Sequence, residues 1–253
     1  MEPLISIVIP TISKRSELLE EAIKSVREQT HKNVEIIPVK DCINPCEARN
    51  IGIRKASGEF IAFLDDDDTW YPTKLEEQLK VFEESDQQTL LVICWINDKR
   101  FKESYIDKYE YNISRSKILN MFRLSSTSSY MFRTSFLKEN EFNINYPSAQ
   151  EYELAIRTVS SGPESGTVKC VQKVLVQQNK SQGSITRDWV KKRQGLRMLF
   201  HDYKHLYKSY GIINYIRFII KYSGIIFLYS VTSIVGDRIY KIIVPLKKRS
   251  SIK

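Results

Sequence analysis

Cysteine is scarce in this chain of 253 residues, which holds only Cys42, Cys46, Cys94 and Cys170. Four scattered thiols cannot build a disulfide scaffold, and Cys42 and Cys46 lack the second Cys/His pair that a zinc site requires. Reduced thiols and a cytoplasmic setting are expected. Glycine (nine) and proline (eight) are also sparse, while 42% of residues are hydrophobic and 27% charged. That balance excludes collagen-like, low-complexity and disordered classes. No internal repeat is present. No basic leader with a long apolar stretch precedes residues 4–10, so no signal peptide is expected. The longest uncharged run, residues 222–236, has 15 residues. A spanning helix needs about 20, so no transmembrane segment is expected. A mass of 29.6 kDa suits one α/β domain with an appendage, or two small domains.

The net charge of +9 is unevenly placed. Residues 1–100 carry 13 Lys and Arg against 19 Asp and Glu; residues 101–180 carry 11 against 8; residues 181–253 carry 15 against 3. Basicity therefore belongs to the tail. Its cations are interleaved with Ile, Phe, Leu and Tyr, which suits an anionic membrane surface better than nucleic acid. A helical subdomain with a solvated basic face fits the same pattern.

The first hundred residues alternate between strand and helix patterns. Residues 4–9 form a continuous β-branched run, as in a buried parallel strand. Ser16 is placed to cap a helix carrying Leu18, Leu19, Ala22, Ile23 and Val26 at helical spacing. Strands over 34–39, 60–64 and 90–96 are separated by helices near 47–56 and 74–84, the latter with Leu75, Leu79 and Phe82 on one face. This order predicts a Rossmann-like, doubly wound, mostly parallel sheet with ligands at the carboxyl ends of its strands. Thr11, Asp41 and Asp65–Asp68 all fall at such ends.

Four consecutive aspartates after a buried strand read as chemistry rather than packing. Crowded carboxylates repel unless a cation neutralises them, and hard oxygen donors favour Mg²⁺ or Mn²⁺, which leave room for substrate phosphates. A solvated acidic turn before a helix is the plainer alternative.

Several segments in order resemble family 2 glycosyltransferases: Ser6-Ile7-Val8-Ile9-Pro10-Thr11, then Ala22-Ile23-x-Ser25-Val26-x-x-Gln29-Thr30, then Glu35 through Asp41. The fullest likeness runs from Ala48-Arg49-Asn50 through Gly58-Glu59 and Phe63-Leu64-Asp65-Asp66-Asp67-Asp68 to Trp70-x-Pro72-x-Lys74-Leu75. The resemblance implies a GT-A fold and an inverting transfer from a nucleotide diphosphate sugar. By position it implies that Asp41 reads the base, Thr11 lies against the nucleoside, Asp65 and Asp66 bind the nucleotide sugar, Asp67 binds the metal, and Arg49 lies near the donor pocket. Lys40-Asp41-Cys42-Ile43 replaces the family's usual acidic pair and Gly-Ser turn, so GDP stays open beside the favoured UDP.

Gln150 through Arg157 resembles the family's acidic motif, with Glu151 at the general base and Glu153 paired to Arg157 four residues on. A surface helix with that ion pair alone is the rival reading. Ser184 and Arg187 resemble the loop that closes over the donor diphosphate. The Gln-x-x-Arg-Trp motif of processive members is absent. These features divide the chain into a catalytic domain, 1–185 (donor half 1–100, acceptor half 101–185), and a basic amphipathic helical region, 186–253. The implied partners are a nucleotide-sugar donor, a glycan or lipid-linked sugar acceptor, and an anionic membrane met peripherally from the cytoplasm. Packing of 212–235 against the sheet, or a homodimer contact through it, is the alternative to membrane docking. His201 and His205 read as helix surface. A nucleotidyltransferase is disfavoured because strand one lacks a Gly-rich, Arg-containing loop. A donor-binding protein without catalysis is the remaining rival.

Overall fold

A computed structural model describes residues 2–100, 104–121, 123–179 and 188–235. Ser184, Arg187 and the tail 236–253 lie outside the described residues. The chain forms two compact units.

The first unit is built on a mixed sheet. Strand β1 (Ile5–Thr11) is buried at every position, as its β-branched run demands. It lies between two parallel neighbours, β2 (Val34–Lys40) and β3 (Phe60–Phe63). β2 forms the edge, which tolerates Pro38, a residue with no N–H for a ladder. β8 (Met131–Arg133) runs antiparallel between β3 and β5 (Leu91–Asp98), and β9 (Val168–Gln178) pairs parallel with β5. Consequently β1, β2, β3, β5 and β9 all point the same way, and their carboxyl ends share one rim. Three short strands, β4 (Asp68–Trp70), β6 (Tyr105–Asp107) and β7 (Asn112–Ile113), pair antiparallel with β9, β5 and β9.

Helix α1 (Ser16–Arg27) buries Leu19, Ala22 and Val26 as its spacing predicts. Ser16 is not its cap. A 3-10 turn, Ser13–Arg15, runs straight into the helix, and Arg15 occupies the N-cap without a side-chain cap bond. Helix α2 (Pro45–Lys55) starts earlier than expected, because Asn44 accepts from the Glu47 backbone N–H at 2.9 Å and Pro45 fits the first helical position.

Gly58 sits against β1: its N–H donates to Ser6 Oγ at 2.9 Å, and an added Cβ would lie 2.6 Å from the Leu4 carbonyl oxygen and 2.8 Å from the Ser6 nitrogen. These are backbone atoms of a buried strand and its approach, so they cannot swing aside. Gly58→Ala is expected to cost about 1–3 kcal/mol by overpacking, read from a urea midpoint. An unchanged midpoint would show that β1 yields.

Helix α3 (Lys74–Glu83) buries Leu75, Leu79 and Phe82 as expected, and also Lys74 and Gln78. The Lys74 ammonium donates to Gln78 Oε1 at 2.6 Å and lies 4.0 Å from the centre of the Trp70 ring. Burial lowers its pKa to about 8. Gln78 in turn donates to the carbonyls of Val92 and Ser129, so the Trp-x-x-x-Lys segment ties β4 and α3 to the sheet. Helices α4 (Arg115–Met121), α5 (Thr134–Glu139) and α6 (Gln150–Ser160) follow. The Glu153–Arg157 pair forms, at 2.8 and 2.9 Å, but Glu153 is only 2% exposed. Arg157 keeps 24% exposure, so the pair is half-buried and not the surface pair of the rival reading.

The second unit holds Asn145–Gln150 and two helices, α7 (Trp189–Ser209) and α8 (Ile212–Val235), joined at Gly211 with φ of 90°. Phe200 and Tyr207 of α7 stack on Phe218 of α8, and Trp189 meets Tyr229. His201 and His205 are exposed on α7. By length and composition alone Ile212–Ile234, 23 residues, is long and apolar enough to cross a membrane, although its longest uncharged run is shorter than a span needs. That count stops at Lys221, whereas the helix continues through it.

Candidate active site

The four aspartates follow β3 at the carboxyl rim, and each has different surroundings. The Asp65 carboxylate accepts from Arg49 Nη2 at 2.6 Å and from Thr127 Oγ1 at 3.3 Å. Asp66, 4% exposed, accepts from Thr11 Oγ1 at 2.7 Å and from Arg15 Nη1 at 2.9 Å. The Asp67 carboxylate is 22% exposed and lies 3.8 Å from Arg15. Asp68, 2% exposed, accepts from Ser128 Oγ at 2.6 Å, Gln178 Nε2 at 3.3 Å and the Asn179 backbone N–H at 3.3 Å. Burial first, and then the charge of Asp65, raise its pKa to about 8. Asp68 therefore does serve packing, against the expectation for the run as a whole: it opens β4 and pins the turn after β3 to the end of β9.

Arg49 is the hub. Its side chain is 5% exposed, and its guanidinium reaches Asp65 and Thr127 through Nη2 and Glu151 Oε1 through Nη1 at 3.4 Å. Burial works against its charge, but Asp65 and Glu151 more than offset this and raise its pKa above the ordinary arginine value. Three segments far apart in sequence thus converge on one cation. Glu151, on the first turn of α6, keeps 37% exposure, so its carboxylate is open to a small molecule on one side.

Asp41 stands at the end of β2 with φ of 56°, a left-handed conformation that Asp tolerates better than most residues. This turns its carboxylate back onto Ser13, which donates from Oγ at 2.5 Å and from its backbone N–H at 2.8 Å. The Ser13 hydroxyl, then its N–H, hold the Asp41 pKa below the usual value. Asp41 N–H also donates to the Thr11 carbonyl at 3.1 Å, so the two nominated residues are neighbours.

The structure therefore gathers Thr11, Asp41, Arg49, Asp65, Asp66, Asp67 and Glu151 along one rim. Ser184 and Arg187 lie outside the described residues. Sequence reasoning missed Arg15, Ser13, Thr127, Ser128, Gln178 and Asn179. The Ser/Thr run 125–129 was a visible signal, but its pairing with the aspartates depends on β8 entering the sheet beside β3. A cavity of about 230 Å³ opens beside the cluster, bordered by Leu18 and Glu21 of α1, Asp66–Asp68 and Asn179. A larger groove of about 740 Å³ lies along α3 and His31 and includes none of the rim residues.

Among the described residues no three His, Cys, Asp or Glu side chains converge into a self-sufficient metal cage. One partly exposed carboxylate, Asp67, beside a small acidic cavity fits a hard divalent ion that draws its remaining ligands from phosphate and water.

The sequence profile of glycosyl transferase family 2 matches residues 6–45 and 43–140. An uncharacterized glycosyltransferase of Rickettsia typhi is 30% identical over 141 residues, which is 46% of this chain and 44% of the relative. The chain thus spans under half of that relative's length. Among solved structures, S. aureus TarS 1-349 in complex with UDP-GlcNAc matches with a TM-score of 0.59 at 15% identity, over 78% of this chain and 66% of that one. A mannosyltransferase from Pyrobaculum calidifontis, in complex with GDP-Man and Mn²⁺, matches with a TM-score of 0.61 at 13% identity, over 99% and 84% of the two chains. At such identities these structures show the fold, which is GT-A. With the profile covering more than half of its residues, the chain belongs to glycosyl transferase family 2.

Proposed function

We propose that the rim binds a nucleotide diphosphate sugar and transfers the sugar, with inversion, to a hydroxyl of a glycan or lipid-linked acceptor. The observation that carries this reading is the Arg49 bridge, which fixes the Glu151 carboxylate one guanidinium away from Asp65. UDP is the favoured base and GDP the alternative; the two solved relatives hold one of each.

In this reading Thr11 and Asp41 border the nucleoside, and Asp65 and Asp66 take the donor. Asp66 is oriented for this by Thr11 and Arg15. Asp67, together with the donor diphosphate, would hold Mn²⁺ or Mg²⁺, which supplies charge stabilisation for the leaving group. Glu151 accepts the acceptor's hydroxyl proton as that oxygen attacks the anomeric carbon. The new C–O bond forms while the bond to the diphosphate oxygen breaks, and the nucleoside diphosphate leaves with the electron pair. Arg49 holds Glu151 at its station. Ser184 and Arg187 remain proposed partners of the diphosphate.

Inversion is directly observable. Given an α-linked nucleotide sugar and an accepted sugar alcohol, proton NMR of the first-formed product is expected to show a β-anomer. A first-formed α-product would contradict the direct displacement and the role of Glu151 as base.

A further inference from the structure

The outward face of α8 is unlike the surface of the first unit. Ile212, Ile213, Ile216, Ile220, Phe227 and Ile234 are between 51% and 84% exposed. At 100° per residue they fall within one stripe about 100° wide, running roughly 33 Å along the helix at 1.5 Å per residue. The opposite face carries Phe218, Tyr222 and Tyr229, which pack on α7 through Phe200, Tyr207 and Trp189. Arg193 of α7 also donates to Ser230 of α8 at 3.4 Å. The stripe is therefore what remains after the two helices have satisfied each other.

Charge identifies its occupant. Arg217 and Lys221 follow the stripe along one edge of α8, and Lys191, Arg197, Lys204 and Lys208 are exposed on α7. The two helices together hold eight Lys and Arg against one acid, Asp202. A spanning orientation would place Lys221 near the middle of the hydrocarbon, a costly position. It would also pull the aromatic contacts away from a lysine-rich partner helix. A helix lying in the plane of the interface meets neither difficulty: its apolar stripe enters the acyl boundary while the flanking cations reach headgroup phosphates. A second copy of this chain would bring the same excess of positive charge against itself.

We propose that the α7–α8 hairpin is a docking surface for an anionic lipid bilayer, with the α8 stripe inserted at the interface and the Lys and Arg side chains on acidic headgroups. This goes beyond the transfer reading and does not depend on it.

The test is co-sedimentation of the full chain with phosphatidylcholine vesicles with and without phosphatidylglycerol, at low and high salt. Binding is expected on anionic vesicles, weakened by salt and by omission of phosphatidylglycerol. The triple variant Ile216→Asn, Ile220→Asn, Phe227→Asn is expected to weaken it roughly tenfold or more. All three side chains are exposed, so its circular dichroism and melting temperature should match wild type. Arg217→Gln with Lys221→Gln is a second, milder variant, expected to weaken binding to anionic vesicles and to leave binding to neutral ones unchanged. Bound wild-type protein should be released by alkaline carbonate. Resistance to carbonate would overturn the proposal in favour of a span. No vesicle binding, together with a concentration-dependent dimer abolished by the triple variant, would overturn it in favour of a second copy. Wild-type vesicle binding by a folded triple variant would overturn it outright.

Discussion

Glu151→Gln is expected to slow sugar transfer by about 10²–10⁴-fold, the range that a positioned general base supplies, while leaving donor affinity nearly unchanged. The substitution keeps the length of the side chain and an oxygen that Arg49 can still meet, so the local geometry survives. What it removes is the capacity to take a proton from the attacking hydroxyl. Glu151 lies 3.4 Å from Arg49 and remains 37% exposed, which leaves room for the acceptor that the proposed reaction requires. Glu151→Asp keeps the carboxylate but withdraws it by one methylene, and its rate should fall between those of wild type and Gln. Parallel measurement of transfer rate and nucleotide-sugar affinity on the three proteins separates the roles. A Gln variant with wild-type turnover would remove Glu151 from the chemistry.

Arg49 should show the largest combined effect on folding and turnover. Arg49→Ala strips a buried cation from Asp65, Thr127 and Glu151 together. Breaking a buried pair from one side costs about 3–5 kcal/mol when the orphaned charge stays dry. Here the partners are 28% and 37% exposed, so water can reach them, and a loss of about 2–3 kcal/mol is expected after that discount. Urea denaturation reads this. Arg49→Lys is the sharper probe. An ammonium restores the charge but is a point donor, unable to span Asp65 and Glu151 as a planar guanidinium does. It should recover part of the stability and little of the rate. Full recovery of the rate by Lys would show that charge alone, and not the bridge, is what the site uses.

Much of this arrangement can be read from local patterns, and the remainder fails for identifiable reasons. The β-branched run before Thr11, the spacing of Leu19, Ala22 and Val26, and the apolar strand before Asp65 are signals of periodicity; each became the expected element. Since parallel strands deliver their carboxyl ends to one side, the common rim of Thr11, Asp41 and the aspartates followed as well. Pairings across long separations did not. Thr127 and Ser128 reach Asp65 and Asp68 only because β8 enters antiparallel beside β3, and Gln178 reaches Asp68 only because β9 pairs with β4. Nothing local to those residues announces that contact. Lys74 and Gln78 were hidden for another reason. Polar residues within an amphipathic helix read as solvent-facing, yet a Lys can be buried when an aromatic ring and an amide receive its ammonium. The length of α8 was not legible in a count of uncharged residues, which treats two cations as breaks, whereas a helix carries them along one edge.

The most direct measurement is a calorimetric titration of UDP- and GDP-linked sugars into the wild-type protein and Asp67→Ala, each with and without Mn²⁺. The central claim is that the aspartate rim takes a nucleotide sugar through a metal on Asp67. It predicts binding of one base class by wild type with Mn²⁺, a large loss of affinity when the metal is withdrawn, and an equal loss in Asp67→Ala that added metal does not repair. Equal, metal-independent binding by both proteins would contradict it, as would wild-type binding of neither class with Mn²⁺ present.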